Sequence, residues 1–152
     1  MPRKFIINLN ILNTSKELRQ MKDIIFDDFQ NSVNDSLLRH KSILDTLSKY
    51  GESNARVNRA IIKAVTNCGC IKINASKQCI PTENDSIEEL TDCFKNHIDG
   101  TLCNNCREVI EREMGNNIFY LTSLCNTLGI NLYDVLLQEN DKVTTLGKFT
   151  FR

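Results

Sequence analysis

The sequence predicts an all-α fold, an antiparallel helical bundle, on three observations. Apolar residues recur at three- and four-residue spacing in successive segments. Ser, Thr, Asp or Asn opens most of these segments, and glycine closes several. Alternation of apolar and polar residues, the mark of a strand, is confined to the chain ends.

Thr14 or Ser15 caps a first helix with Leu18, Met21, Ile25 and Phe29 on one stripe. Asp35 or Ser36 opens a second, with Leu37, Leu44 and Leu47 inward and Gly51 as its stop. A third runs from about Ser53 through Val57, Ile61, Val65 and Cys68 to Gly69. Residues 71 to 84 read as a connector rich in turn formers: Asn74, Ser76, Pro81 and Asn84. Ser86 and Glu89 form a capping box for a short helix with Ile87, Leu90 and Phe94 inside, closed by Gly100. The longest helix, about 102 to 128, places Ile110, Met114, Ile118, Leu121, Cys125 and Leu128 on one face and stops at Gly129. Asn131 caps the last helix, which uses Leu132, Val135 and Leu136. The alternation from Leu146 to Phe151 predicts an extended strip. This divides the chain into an N-terminal extension (1–13), a helical domain (14–142) and an extended tail (143–152).

The 152 residues suit a single domain, and 41% hydrophobic with 25% charged residues is an ordinary globular balance. Lys+Arg and Asp+Glu both total 19. A dedicated nucleic-acid binder or a polybasic membrane-surface protein needs a sustained positive field, so neither is expected. No apolar run reaches the ~20 residues of a membrane span. Met1 to Leu12 is interrupted by Asn8 and Asn10 and lacks a small-residue cleavage site, a poor signal peptide. The expectation is a soluble, cytoplasmic protein.

Seven cysteines, an odd number at uneven spacing, make a weak disulfide framework for a chain that can fold by burial alone. Four of them form Cys68-Gly69-Cys70 and Cys103-Asn104-Asn105-Cys106. Two close thiolate pairs can bind zinc tetrahedrally as a structural site. Residues i and i+2 of a helix point nearly opposite ways, so the first pair chelates only where the helix breaks, at Gly69. The second pair sits at i and i+3 on a first helical turn, where the dipole favours thiolate. The gap from Cys70 to Cys103 is longer than in common zinc ribbons. Cys93 and His97 are substitute ligands, Cys125 lies on a core stripe, and Cys79 has no assigned role. A redox pair is the competing reading, although redox CxxC pairs normally sit in a βαβ setting. A metal- or redox-sensing regulator therefore stays open.

Charge is unevenly placed. Ser53 to Thr82 holds no acidic residue, while Arg56, Arg59 and Lys63 occupy one helical face at i, i+3 and i+7. Glu108, Glu111 and Glu113 lie on the long helix. If the cysteine pairs meet, these helices run antiparallel from that joint. Arg59 then faces Glu113, and Lys63 faces Glu108 or Glu111.

The stretch Glu113-Met114-Gly115-Asn116-Asn117-Ile118-Phe119-Tyr120-Leu121, with Leu124 and Leu128-Gly129-Ile130-Asn131-Leu132 after it, resembles the second half of MazG-type nucleotide pyrophosphohydrolases. The chain is also similar to small MazG-like proteins of low-GC bacteria that share the CGC and CxxC context. The resemblance covers about residues 107 to 142. It implies an all-α, usually dimeric protein that cleaves nucleoside triphosphates with magnesium, held by an EExxE helix and an ExxD helix. Here Glu113 is kept, Asn116 stands where the aspartate belongs, and Asn58, Arg59 and Lys63 replace the EExxE. One glutamate and an amide do not make an octahedral magnesium site. Glu108, Glu111, Glu113 and Asn116 are the acidic-side residues an active enzyme would use. The expected function is a catalytically degenerate module binding a nucleotide or a protein partner, with Arg56, Arg59 and Lys63 toward phosphate. An active magnesium-dependent pyrophosphohydrolase with displaced ligands is the alternative.

Overall fold

The computed structural model describes residues 24–37, 41–78 and 94–147. They are mostly helical, as the periodicity predicts. Helix α1 covers 24–36, α2 covers Ile43–Lys63, and a π-helical turn, Ala64–Cys68, continues it. Strands β1 (Ile71–Ile73) and β2 (Ile98–Gly100) come next, then α3 (Asn104–Leu128) and α4 (Leu132–Leu146). No helix among the described residues is long and apolar enough to cross a membrane. The chain divides into two compact units, one of residues 1–51 and 117–152, the other of residues 52–116.

Several boundaries differ from the sequence expectation. The predicted second and third helices are one: α2 passes through Gly51 without a break. One seam of buried and half-buried positions runs through Thr46, Tyr50, Ser53, Val57, Ala60 and, in the π turn, Ala64. They step by four and three residues, the period of a helix seam. Much of this seam is small or hydroxylated, which a search for large apolar residues passes over. Leu44 and Leu47, expected inside, are 72% and 49% exposed. Asp35 and Ser36 end α1 rather than opening a new helix. The presumed connector contains β1, and residues 98–100 pair with it instead of ending a helix. The expected cap at Ser86 and Glu89, Cys79 and Cys93, and residues 1–13 lie outside the described residues. Helix α4 persists to Leu146, so the start of the predicted tail is helical.

In the first unit, a turn between α3 and α4 is held by α1. Gly129, at φ 67°, ends α3 with its N–H on the Asn126 carbonyl at 3.2 Å and the Ile130 N–H on the Cys125 carbonyl at 2.8 Å. That double closure requires a left-handed residue, which glycine adopts without Cβ strain. Asn131 caps α4 as expected, its side chain accepting from the Tyr133 and Asp134 amides at 2.8 and 3.2 Å. Gln30 of α1 then spans the turn: its amide donates to the Ile130 carbonyl at 2.8 Å and its oxygen accepts from the Leu132 N–H at 2.9 Å. Asn126 donates to the Gln30 carbonyl at 2.9 Å. Val33, Cys125 and Leu132 are buried in this unit. The buried hydroxyls of Thr46 and Thr122 donate to Ser42 and Ile118, four residues back, which removes the cost of an unpaired polar group.

Gln30→Ala strips two of the bonds that α1 lends to this turn. We expect it to destabilise the protein by about 1–3 kcal/mol in urea unfolding; a midpoint equal to wild type would show that the turn holds without α1.

Candidate metal centre

The second unit folds on a small apolar cluster: Ala60, Ala64, Ile71 and Ile110 are buried, with Ile61, Val65, Leu102 and Val109 packed around them. Cys70 and Cys106 border the same cluster. The cysteine segments meet beside it, and each is shaped by a specific backbone device.

The end of the α2 helix widens into the π turn, and the Gly69 N–H closes it on the Ala64 carbonyl at 3.0 Å. Gly69 takes φ 71°, a left-handed conformation that L side chains avoid. The break expected at Gly69 is therefore real, and it turns Cys70 back toward Cys68. The chain then enters β1, which pairs antiparallel with β2 in the register Ile71↔Gly100, Lys72↔Asp99 and Ile73↔Ile98. Gly100, at φ 91°, lies against Cys70: a Cβ there would meet the Cys70 carbonyl oxygen at 2.7 Å. Only glycine allows that approach, and the pairing delivers the chain to Cys103 a few residues later.

Cys103 stands at the start of α3, and its sulfur accepts the Cys106 backbone N–H at 3.5 Å. It occupies the place of an N-cap side chain. The four sulfurs of Cys68, Cys70, Cys103 and Cys106 lie within 4.8 Å of one another, and the Cys68 and Cys103 sulfurs are 3.7 Å apart. Tetrahedral zinc with Zn–S bonds of about 2.3 Å sets sulfurs about 3.8 Å apart. The donor set thus fits a soft tetrahedral cation in number, type and spacing.

The same crowding splits the thiol acidities. The Cys106 amide, aided by the Cys106 and Cys68 thiols, pulls Cys103 down to about 7. Its hydrogen bond with Cys103 pushes Cys106 up to about 12. Without a cation, one thiolate forms readily and discourages its neighbour; a divalent metal removes that penalty. Cys125 sits apart in the first unit, a buried core thiol of α3 whose pKa is raised by burial.

His97 is not at this centre. Its Nδ1 lies 3.2 Å from the Asn74 carbonyl, and its Nε2 lies 2.8 Å from the Gln78 amide, so the ring ties the strand ends together. Asn74 and Asp99 also hydrogen-bond across the hairpin.

Beside the cysteines, the predicted charged residues come together in part. Arg56, Arg59, Lys63 and Glu113 line one cavity of about 290 Å³, with Ala60 and Val109 as its apolar wall. Arg59 and Glu113 share this cavity as expected, yet they form no ion pair. Glu113 is instead 3.8 Å from Arg112 and accepts from Asn116 at 3.4 Å. Lys63 pairs with neither Glu108 nor Glu111; Glu111 lies 4.0 Å from Arg107. Among the described residues these carboxylates gather into no magnesium site: Glu113 alone of the three reaches the cavity, beside three cations and the apolar wall. Ala60 and Val109, which form the cavity's apolar wall, escape a search for chemistry-bearing residues; their signal in the sequence is the four-three spacing with Ala64 and Cys106.

Comparison with protein-family models, curated proteins and solved structures finds no match to this chain.

In metal-free, reduced protein at pH 7.5, Cys103 is largely thiolate and Cys106 remains a thiol. Iodoacetamide should therefore label Cys103 first, with its labelling falling away below about pH 7. Peptide mass spectrometry that finds Cys106 labelled ahead of Cys103 would contradict this order.

Proposed function

We propose that the chain is a MazG-like helical protein, catalytically degenerate, whose cysteines hold a structural zinc ion and which binds a nucleotide or a protein partner. The observation that carries the metal reading is the approach of four thiol sulfurs to within 4.8 Å of one another. Cys68 and Cys70 leave the end of one helix, while Cys103 and Cys106 open another. A metal there ties together two segments that are distant in sequence. Its part is structural, because four protein thiolates leave no open coordination position for a substrate.

The degenerate reading is supported by the donor chemistry opposite Glu113. Hard magnesium needs several anionic oxygens, and Arg56, Arg59 and Lys63 occupy that wall instead. Asn116 donates its amide to Glu113 rather than adding a carboxylate.

Purified protein should carry one zinc per chain by elemental analysis. Cys68→Ser and Cys106→Ser should each lose most of it, while Cys125→Ser keeps it. With Mg²⁺ present, no pyrophosphate should be released from nucleoside triphosphates. Absence of zinc from reduced wild-type protein would remove the metal reading, and sustained pyrophosphate release would restore the active enzyme.

We also propose a homodimer. Large apolar side chains outside the helix seams are exposed, Leu44, Leu47 and Ile118 among them, and a second copy would remove that surface from water. Light scattering should give twice the 17.4 kDa chain mass; a monomer mass at micromolar concentration would overturn it.

A further inference from the structure

We propose that the cavity walled by Arg56, Arg59 and Lys63 binds the phosphoryl groups of a small phosphate ester directly, without a divalent cation. This deepens the nucleotide side of the proposed function and rests on it for the ligand class.

Three observations carry it. The first is unspent positive charge. Arg59 and Lys63 form no ion pair or hydrogen bond among the described residues, and Arg56 shares its charge with Glu52 on the same helix. The second is the state of the single carboxylate on the cavity wall. Glu113 lies 3.8 Å from Arg112 and accepts from Asn116 at 3.4 Å, both neighbours on its own helix, and pairs with neither Arg59 nor Lys63. The third is shape. About 290 Å³ leaves room for a phosphoryl or diphosphoryl group. A neighbouring cavity of about 380 Å³ shares the walls Ala60, Lys63 and Val109, and adds Ala64, Asn67, Asn105 and the edge of the cysteine centre at Cys68 and Cys106.

The chemistry is set by these parts. Planar guanidinium forks match the paired oxygens of a phosphoryl group, and a lysine adds a point charge. Phosphate presents more oxygens and more charge than a carboxylate in the same volume. The adjoining cavity offers an apolar floor and two side-chain amides to the organic part of the ester. Magnesium has no role, because one carboxylate cannot hold it against three cations.

The test is calorimetric titration of the zinc-loaded full chain with pyrophosphate, and separately orthophosphate, in magnesium-free buffer of low ionic strength. Pyrophosphate should bind, more weakly as salt is raised. Arg59→Gln and Lys63→Gln should each weaken it about tenfold or more, which is the scale of one lost charge-assisted hydrogen bond. Glu113→Gln should bind as tightly as wild type or tighter, since it removes a repelling carboxylate. Far-ultraviolet circular dichroism and zinc content on every sample report folding and the cysteine centre separately. Four outcomes overturn the proposal: no pyrophosphate binding by wild type, binding unchanged in both cation variants, binding that requires added Mg²⁺, or binding lost in Glu113→Gln. The salt dependence of wild type decides the matter even if a cation variant fails to fold. A poly-glutamate peptide that binds where pyrophosphate does not would assign the same charges to an acidic protein partner and overturn the phosphate site.

Discussion

The constraint on which the second unit depends is the approach of Gly100 to the Cys70 carbonyl. That contact is too close for any Cβ, and it fixes the register in which β1 meets β2. The register in turn sets where Cys103 lies relative to Cys68. Among the described residues the buried apolar ones nearby are few and partly small: Ala60, Ala64, Ile71 and Ile110. A cluster of that size supplies little hydrophobic stabilisation, since burying an alanine removes far less surface from water than burying a leucine. Small units with thin cores rely on cross-links or metals. Four thiols gathered at the edge of this cluster are in the right place to be such a link, and a metal held by them would couple its binding to folding of the segments that present them.

Local chemistry makes part of this legible in the sequence. The Asn131 cap, the stops at Gly69 and Gly129, and the start of the long helix near Cys103 are written in short stretches, where one residue type solves one backbone problem. The cysteine pairing is readable for the same reason: Gly69 between Cys68 and Cys70 predicts a break that lets both thiols converge. The failures have a common cause. A search for leucine-like stripes places Leu44 and Leu47 inside, whereas the helix buries Thr46, Ser53 and Ala60. Buried hydroxyls that bond their own helix carbonyls carry no apolar signature. Gly51 misleads because an isolated glycine costs a helix only about 1 kcal/mol, which continuous packing on both sides offsets. The two strands are three residues each and pair across more than twenty positions, too short and too non-local for periodicity to register.

Electrostatics sets the basic cavity of the second unit apart from a magnesium site. In a metal-dependent site, carboxylates gather around a cation that then gathers phosphates. Here the sign of one wall is reversed. Arg59 and Lys63 line a cavity where Glu113 is the one carboxylate among the described residues, and it lies against Arg112 and Asn116 of its own helix. A divalent ion placed there would meet like charge, and an anion would not. The reversal also explains why the expected Arg59 to Glu113 ion pair is missing: Glu113 has nearer partners on its own helix, so the cations opposite remain available.

The two chemistries of the second unit are joined by covalent continuity. Lys63 is the last residue of the α2 helix, and the π turn after it ends at Cys68. Lys63 also walls both the basic cavity and the neighbouring one, where Cys68 and Cys106 form part of the lining. The extra residue of a π turn shifts the register of the chain beyond it, so the position of Cys68 and the direction of Lys63 cannot be chosen separately. A metal that fixes Cys68 fixes the turn, and a fixed turn holds Lys63 toward the cavity. In this arrangement a metal bound by the cysteines would act on the proposed anion site without touching it, by removing the conformational freedom of the short turn between them.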